Sequence, residues 1–152
     1  MVDIVHRVGI KAPPSKVYAA LSTIEGLAGW WTKATTGDSK LGGSIAFRFH
    51  TPSGDEIGGF DMDVLELTPD QRVRWRVKGG PEEWVGTDVD FSLSRNDGYT
   101  VVLFGHRNWR EEVEFTAHCS TKWASFLLSL RDLVETGKGK PSPADLKIGD
   151  WH

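Results

Sequence analysis

The stretch from Asn108 to Gly137, NWREEVEFTAHCSTKWASFLLSLRDLVETG, constrains this chain more than any other. Cys119, Trp123, Phe126, Leu127, Leu130, Leu133 and Val134 recur at spacings of three and four, which puts them on one apolar stripe of a helix. Asn108 suits the N-cap, with Glu111 three residues on as capping-box partner. Glu111, Glu112 and Glu114 place negative charge at the positive end of the helix dipole. Gly137 suits a left-handed C-cap, and Pro141 lies beyond it. The expected helix is roughly 40 Å long at about 1.5 Å per residue. Such a stripe needs a broad apolar surface to lie on, and the rest of the chain must supply it.

That surface reads as a sheet. Val2, Ile4, His6, Val8 and Ile10 alternate with Asp3, Val5, Arg7 and Gly9, the pattern of a half-buried strand. Ala12-Pro13-Pro14 ends it, and Pro14 suits a helix start followed by Val17, Ala20, Leu21 and Ile24. Ser22 with Glu25 resembles a second capping box, opening a short helix that reaches Trp30-Trp31. Residues 32–44 are polar and glycine-rich and read as a loop. Five alternating runs follow, built on Ile45/Phe47/Phe49, Phe60/Met62/Val64, Val73/Trp75/Val77, Val85 to Leu93, and Thr100 to His106. Short turns between them imply antiparallel neighbours. Asp61 and Asp63, then Arg74 and Arg76, then Asp88 and Asp90 fall on the opposite faces of their strands, an acid–base–acid ladder on the solvent side. The expected fold class is α+β: a curved antiparallel sheet gripping the long C-terminal helix, with two short helices after the first strand. No repeat or linker divides the chain, so one domain over 1–152 is expected, with 138–152 a polar tail that Leu146, Ile148 and Trp151 could dock back.

The 18 basic and 21 acidic residues nearly balance, which gives no reason to expect nucleic acid as partner. Cys119 is the lone cysteine, so no intrachain disulfide forms, and with no secretory signal visible the cytoplasm is the expected compartment. No apolar run is long enough for a membrane span. Seven Trp and seven Phe are the unusual feature, read either as an aromatic-rich core or as the walls of a cavity.

Three stretches together carry a family resemblance: IVHRVGIKAPPSKVYAALSTIEGLAGWW, DVLELTPDQRVRWRV, and the run from YTVVLFGHRNW into CSTKWASFLLSLRDLVETG. Over residues 2–140 the chain resembles the START/polyketide-cyclase (SRPBCC) superfamily. It is most similar to the branch named after the C-terminal domain of the activator of the heat-shock-chaperone ATPase. The resemblance implies the helix-grip fold with a cavity between sheet and helix. It also implies binding of lipids, sterols, polyketides or other apolar molecules, with enzymes a minority. The eukaryotic activator carries a further N-terminal domain for which 152 residues leave no room, which weakens the expectation of a chaperone-activator role.

The candidate ligand-binding set is the aromatics converging from separate elements: Trp30, Trp31, Phe47, Phe49, Phe60, Met62, Trp75, Phe91, Phe104, Trp109, Trp123 and Phe126, with Cys119 and His106. His106 ends the inward set of the last strand and is the candidate for a ligand's polar end, the plainer reading being a histidine bonded to nearby backbone. Trp30-Trp31 and the glycine-rich loop would form the entrance. Glu114 and His118, four apart, read as a solvated pair, with no ligand cluster to make a metal site. No cofactor is expected. The leading expectation is non-catalytic binding of a small hydrophobic or amphipathic molecule. The alternatives are a cyclase- or hydrolase-type enzyme using His106, which would need a second titratable group, and a chaperone-associated protein-binding module. A homodimer is kept open beside these.

Overall fold

The computed structural model describes residues 1–152. The elements in order are β1 (Val2–Ile10), α1 (Pro14–Ser22), α2 (Ile24–Trp30), β2 (Ala34–Gly37), β3 (Ser44–His50), β4 (Glu56–Thr68), β5 (Arg72–Gly79), β6 (Asp88–Asn96), β7 (Tyr99–Trp109) and α3 (Glu114–Thr136). The strands form one seven-stranded sheet in the order β1-β7-β6-β5-β4-β3-β2, antiparallel at every pairing. Successive strands from β2 to β7 are neighbours because short turns join them. The first strand returns to pair with the last and becomes an edge. The sheet curves round α3, with α1 and α2 filling one end of the concave side.

The apolar stripe of α3 is the buried one. Cys119, Trp123, Phe126, Leu127, Leu130 and Val134 are buried, and Leu133 packs against the core from its margin. The helix begins later than Asn108. Strand β7 continues to Trp109, which pairs with Val2, and Asn108 adopts a left-handed φ of 72° while its N–H donates to the Asp3 carboxylate. Val113 is the N-cap, and its N–H donates to the Thr116 hydroxyl at 3.1 Å. Sheet pairing outcompetes the helix start that the local sequence offered. Gly137 closes the helix in the left-handed conformation, as its position implied.

Three further boundaries differ from expectation. The cap of α2 is Thr23, whose hydroxyl accepts from Gly26 N–H at 3.0 Å, one residue after Ser22. The expected loop over 32–44 holds β2, a short edge strand of threonines with no apolar alternation to betray it. Beyond it, the Gly42 N–H donates to Val64 O and the Val64 N–H to Gly43 O, which ties the glycine turn to β4. The sixth strand starts at Asp88, since Pro81 O accepts from the N–H groups of Trp84 and Val85 and winds that segment into a turn.

The charges lie on the convex face, with Asp63 opposite Arg76 and Arg74 opposite Asp90, but two bulges along β4 interrupt the expected ladder and set Asp61 opposite Gly79, where it pairs with Arg48 at 2.9 Å. The acids are not all exposed, however. Asp88 and Asp90 are buried beneath arginines: Arg76 pairs with Asp88 at 2.8 Å and Arg107 with Asp90 at 2.7 Å. Gly105, between β6 and the edge, lets the Arg107 guanidinium lie flat over the backbone, where a Cβ would come within 2.6 Å of it. Burial would raise the Asp88 carboxyl, but the hydrogen bonds and charges of Arg76 and Arg74 outweigh it and hold it below the usual carboxylate range. Long arginine stems cover what the alternation alone leaves open.

Candidate ligand cavity

The cavity lies over the N-terminal half of α3. Three other pieces wall it: the tip of the β3–β4 hairpin, the turn at Pro81–Trp84, and the C-terminal tail. Its volume is about 420 Å³, within the range of about 300–1,000 Å³ common for small-molecule sites. Six of the expected residues line it: Trp31, Phe49, Phe60, Cys119, Trp123 and Phe126. The exposed lining residues, among them Pro52, Ile57, Lys147 and His152, mark its mouth.

The other eight expected residues do not reach it. Trp30, Phe47, Met62, Trp75, Phe91, Phe104, His106 and Trp109 are at most 1% exposed and interdigitate behind the cavity wall. Trp31 sits against Phe47 at 4.3 Å between ring centroids, and Phe104 against Trp123 at 4.5 Å. The entrance is likewise not at the glycine-rich loop, which β4 holds, but beside the tail.

His106 is fully buried and both of its ring nitrogens are occupied. The Trp123 indole can only donate, so its N–H at 3.1 Å requires a bare Nδ1. The proton then sits on Nε2 and is donated to the Thr87 hydroxyl at 2.8 Å, which in turn donates to Trp84 O at 2.6 Å. Burial pushes the His106 pKa down to about 3, with the Asp88 charge opposing only weakly, so the ring is neutral at ordinary pH. A neutral, fully bonded imidazole behind the wall has no lone pair or proton free for a ligand. Burial also pushes the Cys119 thiol up to about 12, which leaves it a wall group and not a nucleophile.

Several lining residues escaped the sequence reading. Trp84 stacks on Phe60 at 3.8 Å with ring planes 4° apart. It stands in a segment rich in Gly, Pro and Glu that reads as a chain break, and a tryptophan in such company was the available signal. His118 does not sit as a solvated partner of Glu114. Its Nε2 meets His152 O at 2.9 Å, and Trp151 packs edge-on to its ring. Lys122, on the same helix face, binds the Asp145 carboxylate and donates to Leu146 O at 2.8 Å. The tail is fixed at its start by Ser142, which is buried and exchanges hydrogen bonds with Trp31 O and Lys33 N–H. Trp151 docks the tail as the sequence suggested, whereas Leu146 stays exposed.

No helix is long and apolar enough to cross a membrane. Comparison with curated proteins gives no match. Among solved structures, an Aha1 dimer from Colwellia psychrerythraea, determined in solution, is 48% identical; the match covers 91% of this chain and 100% of that one, with a TM-score of 0.79. CalU16 from Micromonospora echinospora shares the fold at 20% identity and a TM-score of 0.65, covering 89% of this chain and 77% of its own. DynU16, a protein of the dynemicin biosynthetic locus, does so at 22% identity and a TM-score of 0.71, covering 99% of this chain and 56% of its own. Residues 11–135 match the profile of the family described as activator of Hsp90 ATPase homolog 1-like protein, a span that runs from the end of β1 almost to the end of α3. The chain therefore belongs to the activator of Hsp90 ATPase homolog 1-like family, the branch that its three sequence stretches resembled.

Proposed function

We propose that this protein binds a small hydrophobic or amphipathic molecule, without transforming it, in the cavity between the hairpin tip and the N-terminal half of α3. The observation that carries this reading is the aromatic-walled space of about 420 Å³ over the N-terminal half of α3. DynU16, from a biosynthetic locus, shares the fold alone and is compatible with such a role. Acid–base chemistry through His106 gains no support, because that ring has no free nitrogen and does not touch the cavity.

The test is a titration with the apolar fluorescent probe N-phenyl-1-naphthylamine. Trp31, Trp84 and Trp123 line the cavity, so occupancy should quench tryptophan emission. Cys119→Phe, which projects a ring into the cavity from α3, should abolish binding while circular dichroism stays native. Equal affinity in this variant would sink the proposal. Native mass spectrometry of freshly purified protein should show a retained small molecule.

The family description and the dimeric relative support two further elements of the reading. One is self-association, checked by sedimentation. The other is a chaperone-associated binding role, checked by pull-down with an Hsp90-type chaperone.

A further inference from the structure

The rim of the cavity differs in chemistry from its walls. Around the mouth stand Lys122, Lys147, His50, His118 and His152, against one acidic side chain, Asp145. Glu83 lies in the adjoining groove, which shares Phe115, His118 and Trp151 with the mouth, and its charge reaches Cys119 in the cavity wall. Lys122 is one of the half-buried groups among these. It projects from α3 with its ammonium 5.2 Å from the centroid of Phe126, one of the cavity's own walls, and its side chain is only 15% exposed. An ammonium has three N–H donors. Asp145 and the Leu146 carbonyl take two of them, both supplied by the tail that borders the mouth.

Asp145 thus holds a carboxylate of the chain itself against a cation that overlooks an apolar chamber. The tail segment carrying it is attached lightly: after Ser142 its polar ties to α3 are this pair and the contact of His152 O with His118. A ligand that filled the chamber with an apolar body and carried a negative group at one end would put that group where Asp145 now sits. Exchange of one carboxylate for another at Lys122 keeps the ammonium paired throughout, so no buried charge is left bare during the exchange.

We propose that the natural ligand is an amphipathic anion, an apolar body ending in a carboxylate or similar acid, whose head is received by Lys122 in place of Asp145. This rests on the binding role proposed above. The ligand's charge selects it, and its apolar body supplies most of the affinity from the aromatic walls. Release of Asp145 frees the tail, so the position of Trp151 reports whether the head has been received.

The experiment compares decanoate with decanol, which share a chain length and differ in the charged head, by calorimetry on the full chain at neutral pH. Decanoate should bind several-fold more tightly, less than a full charge-assisted hydrogen bond because Asp145 gives up its own pairing to Lys122. Lys122→Met, which keeps the stem over Phe126, should lower decanoate to the level of decanol and leave decanol unchanged. Asp145→Asn, which removes the internal competitor, should tighten decanoate several-fold and again leave decanol unchanged. Equal binding of the two ligands by the native protein overturns the charged-head proposal while leaving the cavity as a binding site. A parallel loss of both ligands in Lys122→Met overturns it too, since Lys122 would then act only on the cavity's shape. Binding of neither ligand overturns the binding role itself.

Discussion

The two halves of α3 rest on the same sheet but meet different company. The C-terminal half, from Leu127 onward, is covered by α1 and α2. There Leu130 is fully buried, Ser129 donates to Trp30 O at 2.8 Å, and Gly29 lies so close that a Cβ would be 3.0 Å from Leu133. The N-terminal half is covered only by a hairpin tip, a turn and the tail, and there the cavity opens. Hydrogen bonding separates individual indoles rather than the halves: that of Trp123, in the open half, donates to His106 Nδ1 at 3.1 Å. The Trp30 indole N–H in the packed half donates to Ala20 O at 2.9 Å, whereas those of Trp84 and Trp109 near the cavity have no oxygen or nitrogen acceptor. Helices bring continuous side-chain surface and can close a sheet to normal packing density. Loops bring backbone that must itself be bonded, and they leave space. The difference separates a half that holds the fold from a half free to hold something else.

The largest expected effect lies in the packed half. Leu130→Ala should cost about 2–5 kcal/mol by denaturant unfolding, because a fully enclosed side chain leaves a void that cannot collapse. Phe126→Ala, at the edge of existing space, should cost less despite the larger side chain removed. The reverse order would erase the distinction between the halves.

Next comes pH. The His106 pKa of about 3 lies below the value of about 6.5 expected in the unfolded chain, so on acidification the unfolded chain takes up this proton first. The contribution is therefore complete above about pH 6.5. It declines by about 1.4 kcal/mol per pH unit towards about pH 3, or roughly 2–3 kcal/mol by pH 4.5. Asp88, whose pKa is lowered, adds to the loss only at the acid end, below the usual carboxylate range. Stability measured against pH should show the decline, and His106→Gln should flatten it. An unchanged slope would mean that the floor of the cavity is wetter than the bonded His106 implies.

A smaller effect contrasts two tryptophans. Trp30→Phe removes a satisfied donor and leaves Ala20 O unpaired in the core, for about 1–3 kcal/mol. Trp84→Phe removes a donor that meets no acceptor stronger than the neighbouring Cys119 sulfur and can keep its stack on Phe60, so thermal unfolding should register under about 1 kcal/mol. Equal losses would show that both indoles count only by volume. Smallest of all, Trp151→Ala on the half-exposed tail should change stability by less than about 0.5 kcal/mol. It should nevertheless speed entry of the fluorescent probe. A large loss of stability would make the tail part of the core and close the open half.

Much of the fold was legible because it rests on periodicity. The stripe from Cys119 to Val134 appeared at helical spacing, and the strands from Ile45 to His106 appeared at a period of two, which also set the face of Asp61, Arg74 and Asp88. Edges were less legible. Strand β2 is made of Ala34, two threonines and Gly37, and only its pairing with β3 identifies it. Asn108 carries every local mark of a helix cap, yet pairing of β7 with β1 keeps the chain extended past it.

Of the site, the sequence alone determined a supply of inward aromatics and the helix on which three cavity residues, Cys119, Trp123 and Phe126, share one face. Only the tertiary structure decided which rings face a void and which face one another. It moved His106 behind the wall and brought Trp84, Lys122 and Asp145 to the cavity from segments that read as turn, helix flank and tail. The physical reason is that inward direction is a local property, fixed by the repeat of each element. A void is the residue of long-range packing, and it depends on what every other element brings to the same place.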